Sequence, residues 1–184
     1  AMVEVVDYGG GNLGSVERAL QRLDQPYRLT DQPGGNHPLI LPGVGSFGAV
    51  MHSLEQKNLD QRIKQIIQEK TPFLGICVGL QVLLEESEES PGVPGLALIP
   101  GKVVRFQAPK VPQIGWNRIN GGFVYFVNSY YAQLENPEHL WYETDYHGPF
   151  CAALRHQNIS AFQFHPEKSG EFGQQLLQEW LGNA

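Results

Sequence analysis

The stretch Pro72-Phe-Leu-Gly-Ile-Cys77-Val-Gly-Leu-Gln81-Val-Leu-Leu84 restricts the fold of this chain more than any other. Phe73 to Ile76 is a short apolar run behind a proline. A strand apolar at every position has both faces buried, as in a parallel sheet covered by helices. From Leu80 onward the residues are good helix formers that lead into charge. A buried strand passing straight into a helix needs a sharp turn, and Cys77 stands at that turn between Gly75 and Gly79. Two readings of Cys77 stand. Such a joint lifts a nucleophile off the sheet and aims the N–H groups of the next helix at it, which suits an anionic sulfur. Equally, a free cysteine is commonly a small core hydrophobe.

The same alternation fills the first half. Val3 to Asp7 reads as a buried strand followed by the glycine-rich Tyr8-Gly-Gly-Gly-Asn12 and a helix over about 13–23. Strands follow at 26–30 and 37–41, then a weakly amphipathic helical region over 49–69 that breaks near Asn58. Strands alternating with helices predict an open, mostly parallel α/β sheet. The second half reads differently, with strands at 102–106, 122–127, 140–144, 150–155 and 159–164. These are expected as antiparallel or mixed additions to the same sheet. A last helix spans 172–181, with Phe172, Leu176, Leu177 and Trp180 as its apolar stripe.

Size and charge narrow the function. A chain of 184 residues is most simply one domain, here taken as residues 2–184. A net charge of -6 argues against a general nucleic-acid binder, which needs a basic face. No apolar run reaches membrane-spanning length and no basic signal region opens the chain, so no membrane association is expected. Two cysteines, 77 and 151, without metal-type spacing predict free thiols and a cytoplasmic protein.

Three further constellations bear on chemistry. Gly9-x-Gly11-x-x-Gly14, with Asp31 after the next strand, matches a dinucleotide-binding fingerprint, and Gly43-x-Gly45-x-x-Gly48 repeats the spacing. Both are more simply read as glycines that permit tight strand-to-helix turns. The second loop has a third reading, as backbone N–H groups cradling an oxyanion beside Cys77. Near the C-terminus a strand runs into Phe164-His165-Pro166-Glu167-Lys168-Ser169. His165 at a strand end points to where α/β ligands bind, and Glu167 can fix its tautomer. Otherwise His165 is a surface histidine and Glu167 a carboxylate at a helix start. The acidic run Glu85 to Glu89 reads as a solvated face, though an acid there can hold a substrate ammonium group.

Taken together, these motifs resemble the class I glutamine amidotransferase family. Pro42-Gly-Val-Gly45, Gly75-Ile-Cys-Val-Gly-Leu-Gln81 and the His165-Pro-Glu segment occur in that family's order. Val6 to Ser15, Val111-Pro-Gln-Ile-Gly-Trp-Asn117 and Tyr125-Phe-Val-Asn-Ser-Tyr-Tyr131 resemble one group within it, glutaminase subunits that serve a cyclase built as a (β/α)₈ barrel. The resemblance implies a three-layer, flavodoxin-like α/β fold. It implies a triad of Cys77, His165 and Glu167, an oxyanion hole from Val44, Gly45 and Val78, and glutamine bound by Gly45, Gln81, Glu89, Ser129 and Tyr130. It places Asn12, Trp116 and Lys168 at the partner interface, implies neither cofactor nor metal, and makes the glutaminase dependent on its partner. Asn128 and Gln113 depart from it, since many relatives carry histidine there. The rival readings are a glutaminase subunit of the anthranilate or aminodeoxychorismate type, and a dinucleotide-binding oxidoreductase domain built on Gly9 to Gly14.

Overall fold

The four apolar runs of the first half become β1 (Val3–Val6), β2 (Tyr27–Thr30), β3 (Leu39–Leu41) and β4 (Phe73–Ile76). The computed structural model describes residues 1–10 and 13–184. These strands are mutually parallel, in the order β4-β3-β1-β2. On the other side of β4 lies β12 (Ile159–Phe162), also parallel to it, with Phe162 opposite Ile76. The sheet is completed by β11 (Pro149–His156) and β10 (Leu140–Asp145), both antiparallel. Each side chain on a strand points opposite to its neighbour. Leu39, Leu41 and Phe73 therefore meet α2 (Phe47–Gln56) and α3 (Leu59–Gln68), whose Leu54, Ile63 and Ile66 share their cluster. Ile40, Leu74 and Ile76 face the other way, into a cluster with α1 (Leu13–Arg22) and α5 (Gly170–Asn183). Helices on both faces of one sheet give the three-layer α/β arrangement. The break foreseen at Asn58 is real, with Asn58 at φ 56° between α2 and α3.

Only three of the later strands join this sheet. The strand at 101–105 pairs instead with Glu86–Ser87 and Tyr130–Leu134, and the strand at 122–128 pairs with Gln113–Ile119 in a hairpin. The expectation that all of them extend the main sheet is therefore corrected. In chain order these are β5 (Glu86–Ser87), β6 (Gly101–Arg105), β7 (Gln113–Ile119), β8 (Gly122–Asn128) and β9 (Tyr130–Leu134).

The helix after Cys77 is also shorter than expected: α4 covers only Val78–Gln81. The reason lies in the backbone of residues 96–99. Its N–H groups take the carbonyls of Val82, Leu83 and Leu84, which a longer helix would need for itself. Glu85, Glu86 and Glu88 are exposed, as a solvated face requires, yet three of the four acids in this run also hold backbone N–H groups. Glu85 accepts from the N–H of Gly101, Glu88 from that of Arg105 and Glu89 from that of Phe47, so the acids tie neighbouring segments together.

Candidate active site

Parallel strands deliver their carboxyl ends to one edge of a sheet, and three neighbours do so here. After β3 comes Pro42-Gly-Val-Gly45, after β4 comes Cys77, and after β12 comes the segment leading to His165. Residues far apart in sequence thus converge because their strands are adjacent.

Cys77 occupies the turn itself, at φ 57° and ψ -113°, a conformation that costs a non-glycine residue roughly 1–3 kcal/mol. The turn closes only because its flanks lack side chains. A Cβ on Gly75 would lie 2.3 Å from the Gly79 carbonyl oxygen, and one on Gly79 would lie 2.2 Å from that of Leu41. The Cys77 N–H donates to the Phe162 carbonyl at 2.7 Å, which ties the turn to β12. Val78 is the first residue of α4, so its N–H has no intrahelical partner and is open to an anion.

His165 is buried, and its Nδ1 lies 3.0 Å from Glu167 Oε2. Burial alone would lower its pKa. Side-chain hydrogen bonds to Cys77 and Glu167, with the charges of both, outweigh that and push it up to about 10. The structure thus joins Cys77, His165 and Glu167 in one connected group. The imidazole's place is further set by its backbone N–H, which donates to Tyr125 O at 3.0 Å, and by Ser169, whose hydroxyl donates to the His165 carbonyl at 2.6 Å. The alternative of a loose surface histidine does not apply.

The Pro42–Gly45 loop packs on this turn: a Cβ on Gly43 would collide with the Val78 side chain at 2.1 Å. Val44 and Gly45 are exposed, Gly45 at φ 109°. One residue that sequence reasoning missed holds this loop. The buried Tyr8 hydroxyl donates to Pro42 O at 3.0 Å, and burial pushes the phenol up to about 12, against a backbone hydrogen bond from Val44 and with the charge of Cys77. Its only signal in the sequence was its place at the end of the first strand.

The expected glutamine-binding residues are arranged around the same edge. Glu89 sits against the residues following Gly45, with one oxygen on the Phe47 N–H at 2.9 Å. Gln81 is buried, and its amide nitrogen donates to Tyr130 O at 3.1 Å and to Gln163 Oε1 at 3.0 Å. Its oxygen is what remains for a ligand. Ser129 and Tyr130 are half-buried where β8 passes into β9. Trp116 and Lys168 are exposed, while Asn12 lies outside the described residues. So does Gly11 of the first glycine pattern, and Asp31, its acidic partner, instead pairs with Lys57 at 3.4 Å. Among the described residues no cluster of three or more His, Cys, Asp or Glu could hold a metal ion. No helix among them is long and apolar enough to cross a membrane.

A half-buried cysteine beside a buried histidine–glutamate pair, at the carboxyl edge of a parallel sheet, defines a class. The chain belongs to the glutamine amidotransferase class-I family, whose pattern matches residues 4–183. Within that class it is similar to proteins named imidazole glycerol phosphate synthase subunit HisH. That of Herpetosiphon aurantiacus is 42% identical, covering 98% of this chain and 93% of the relative. That of Methanothermobacter thermautotrophicus is 43% identical over 98% of both, and that of Thermus thermophilus 44% over 94% and 93%. Solved structures described as a glutamine amidotransferase and as PurLQS from Thermotoga maritima share the fold, with TM-scores of 0.80 and 0.77. Each covers 99% of this chain and 98% of the other at 18% identity.

Proposed function

We propose that the chain is the glutaminase subunit of an imidazole glycerol phosphate synthase, releasing ammonia from glutamine for histidine biosynthesis. The observation that carries this is the strained Cys77 turn held against the His165–Glu167 pair. Cys77 Sγ attacks the side-chain amide carbon of glutamine, and its proton passes through His165 to the departing nitrogen, which leaves as ammonia. A γ-glutamyl thioester remains. His165 then takes a proton from water as the oxygen attacks, and returns it to the sulfur when glutamate is expelled. Glu167 holds the imidazole in the tautomer and orientation this requires. The N–H of Val78 and one from Val44 or Gly45 hold the oxyanion, each such donor being worth about a hundredfold in rate. Gly45, Gln81, Glu89 and the backbone of Ser129 and Tyr130 hold the glutamine.

The ammonia is delivered to a cyclase subunit built as a (β/α)₈ barrel. The outer face of the β7–β8 hairpin suits a partner: Ile114, Trp116 and Phe123 are 58%, 57% and 55% exposed on it. Exposed large apolar side chains gathered on one face mark interaction surfaces, and tryptophan is a frequent anchor. This face backs directly onto the triad, because Tyr125, which packs edge-on against Trp116, accepts the His165 backbone N–H. Lys168 is exposed one residue past Glu167. The test is glutamate release by the chain alone and with the cyclase subunit and its nucleotide ligand. Release rises when both are added, and Trp116→Ala raises the dissociation constant roughly tenfold or more without lowering the melting temperature. No rise with the cyclase would refute the assignment.

A further inference from the structure

Gln163 has no part in the chemistry above, yet it is fully buried directly behind the nucleophile. Phe162 and Phe164, its neighbours, stack on each other at 4.7 Å, and Gln163 faces away from them toward α4. Its Nε2 lies 3.8 Å from Cys77 Sγ, and among the described residues that sulfur is the only acceptor it has. An amide NH₂ placed without solvent and with one weak acceptor is costly, whereas an apolar residue of that size would carry no such penalty.

The direction in which this amide points is not arbitrary. A carbonyl can only accept, so Tyr130 O requires the NH₂ of Gln81 to face it. The same NH₂ then meets Gln163 Oε1, which leaves the Gln163 NH₂ on the sulfur side. Tyr130 O also takes the NH₂ of Asn128 at 2.9 Å, so Asn128 Oδ1 accepts from Gln113 Nε2 and Gln113 Oε1 accepts from Asn117 Nδ2. Asn117 is set in turn by Asp145 O at 2.8 Å. Two backbone carbonyls, Asp145 O at the hairpin end and Tyr130 O between Asn128 and Gln81, thus fix the orientation of five side-chain amides running from the β7–β8 hairpin to the sulfur. Turning any one of them would bring two donors or two acceptors together.

We propose that Gln163 is a further catalytic residue, a hydrogen-bond donor to the Cys77 sulfur whose direction is imposed by the amide row. Resting on the reading of Cys77 as the nucleophile, it supplies the sulfur with a second side-chain partner besides His165. Donors to a charged atom stabilise it more than donors to a neutral one. The Gln163 amide therefore favours the sulfur anion before glutamine arrives, and again when the thioester is hydrolysed and the sulfur is expelled.

Alkylation of Cys77 by iodoacetamide in the free chain tests this without partner or glutamine, read by mass spectrometry across a pH series. In Gln163→Met the rate falls roughly three- to tenfold on the acidic limb, while the alkaline plateau, where the sulfur is already ionised, stays at the wild-type level. Gln163→Glu, which still accepts from Gln81 but faces the sulfur with an acid, falls further on the acidic limb and carries the test if the Met variant does not fold. A profile for either variant that superimposes on wild type overturns the proposal. So does an equal fall at every pH, which would make Gln163 a brace for the turn. If wild-type Cys77 reacts no faster than free cysteine, the nucleophile reading itself fails and takes this proposal with it.

Discussion

The chain has two cysteines, and their surroundings are opposite. Cys151 lies within β11 on the antiparallel flank, where its thiol donates to Ala153 O at 3.3 Å and burial pushes it up to about 12. The charge of its cross-strand neighbour Glu143 raises it further, and among the described residues no histidine hydrogen-bonds to it. Cys77 lies one residue beyond β4, half-buried, with His165 and Gln163 directed at it. The difference is one of position in the sheet. Inside a ladder both neighbours are strands and the side chain is enclosed; at the carboxyl edge of parallel strands the neighbours are loops, which can bring polar groups to the sulfur.

The sharpest way to break this comparison is to remove each sulfur in turn. Cys77→Ala lowers glutamine-dependent turnover of the complex about 10⁴-fold or more while ammonia-dependent synthesis continues; Cys151→Ala changes neither by more than about twofold. Turnover that survives in Cys77→Ala would reverse the assignment of the two residues. A smaller effect comes from the carboxylate that orients the base. Glu167→Gln keeps the shape but not the charge, and kcat falls about a hundredfold or more with little change in KM, measured as glutamate release.

The smallest expected effect sharpens the same contrast through pH. A histidine held above its ordinary value contributes stability that is complete below about pH 6.5 and is lost as pH climbs toward about 10, and His165 is in that position. At the other side of the molecule His139 lies tilted against His156 with ring centroids 4.5 Å apart, and burial first, then the neighbouring imidazole, hold it below its ordinary 6.5. Its contribution is complete above that value and declines as pH falls below it. Urea unfolding across the pH range therefore shows an alkaline slope that flattens in Cys77→Ala and an acid slope that flattens in His139→Gln. If each substitution flattens the other limb, the two assignments are wrong.

The parts legible in the sequence were those where burial leaves a regular trace. β3 and β4 are buried on both faces and read as unbroken apolar runs, and glycines at 75 and 79 announced a turn with no room for side chains. The β7 strand was not legible because its pattern is inverted. Gln113 and Asn117 point inward to the amide row, while Ile114 and Trp116 point outward. Alternation read for a buried apolar face therefore assigns it no core. The acidic run 85–89 was legible as a solvated face, but the acceptor roles of Glu85, Glu88 and Glu89 were not, since each depends on a backbone N–H brought from elsewhere.

Local order in the parallel half was settled by the sequence alone: which of its runs are strands, where the chain must turn there, and that a thiol and, later in the chain, a histidine each stand just past a strand end. Only the folded sheet decided that β12 lies beside β4, so that residues 77 and 165 share one edge, and that Gln163 stands behind the sulfur. Spacing along a chain records periodicity, because neighbouring residues share an element. It carries no record of which strand hydrogen-bonds to which, and the pairing of distant strands is what turns three separate side chains into one site.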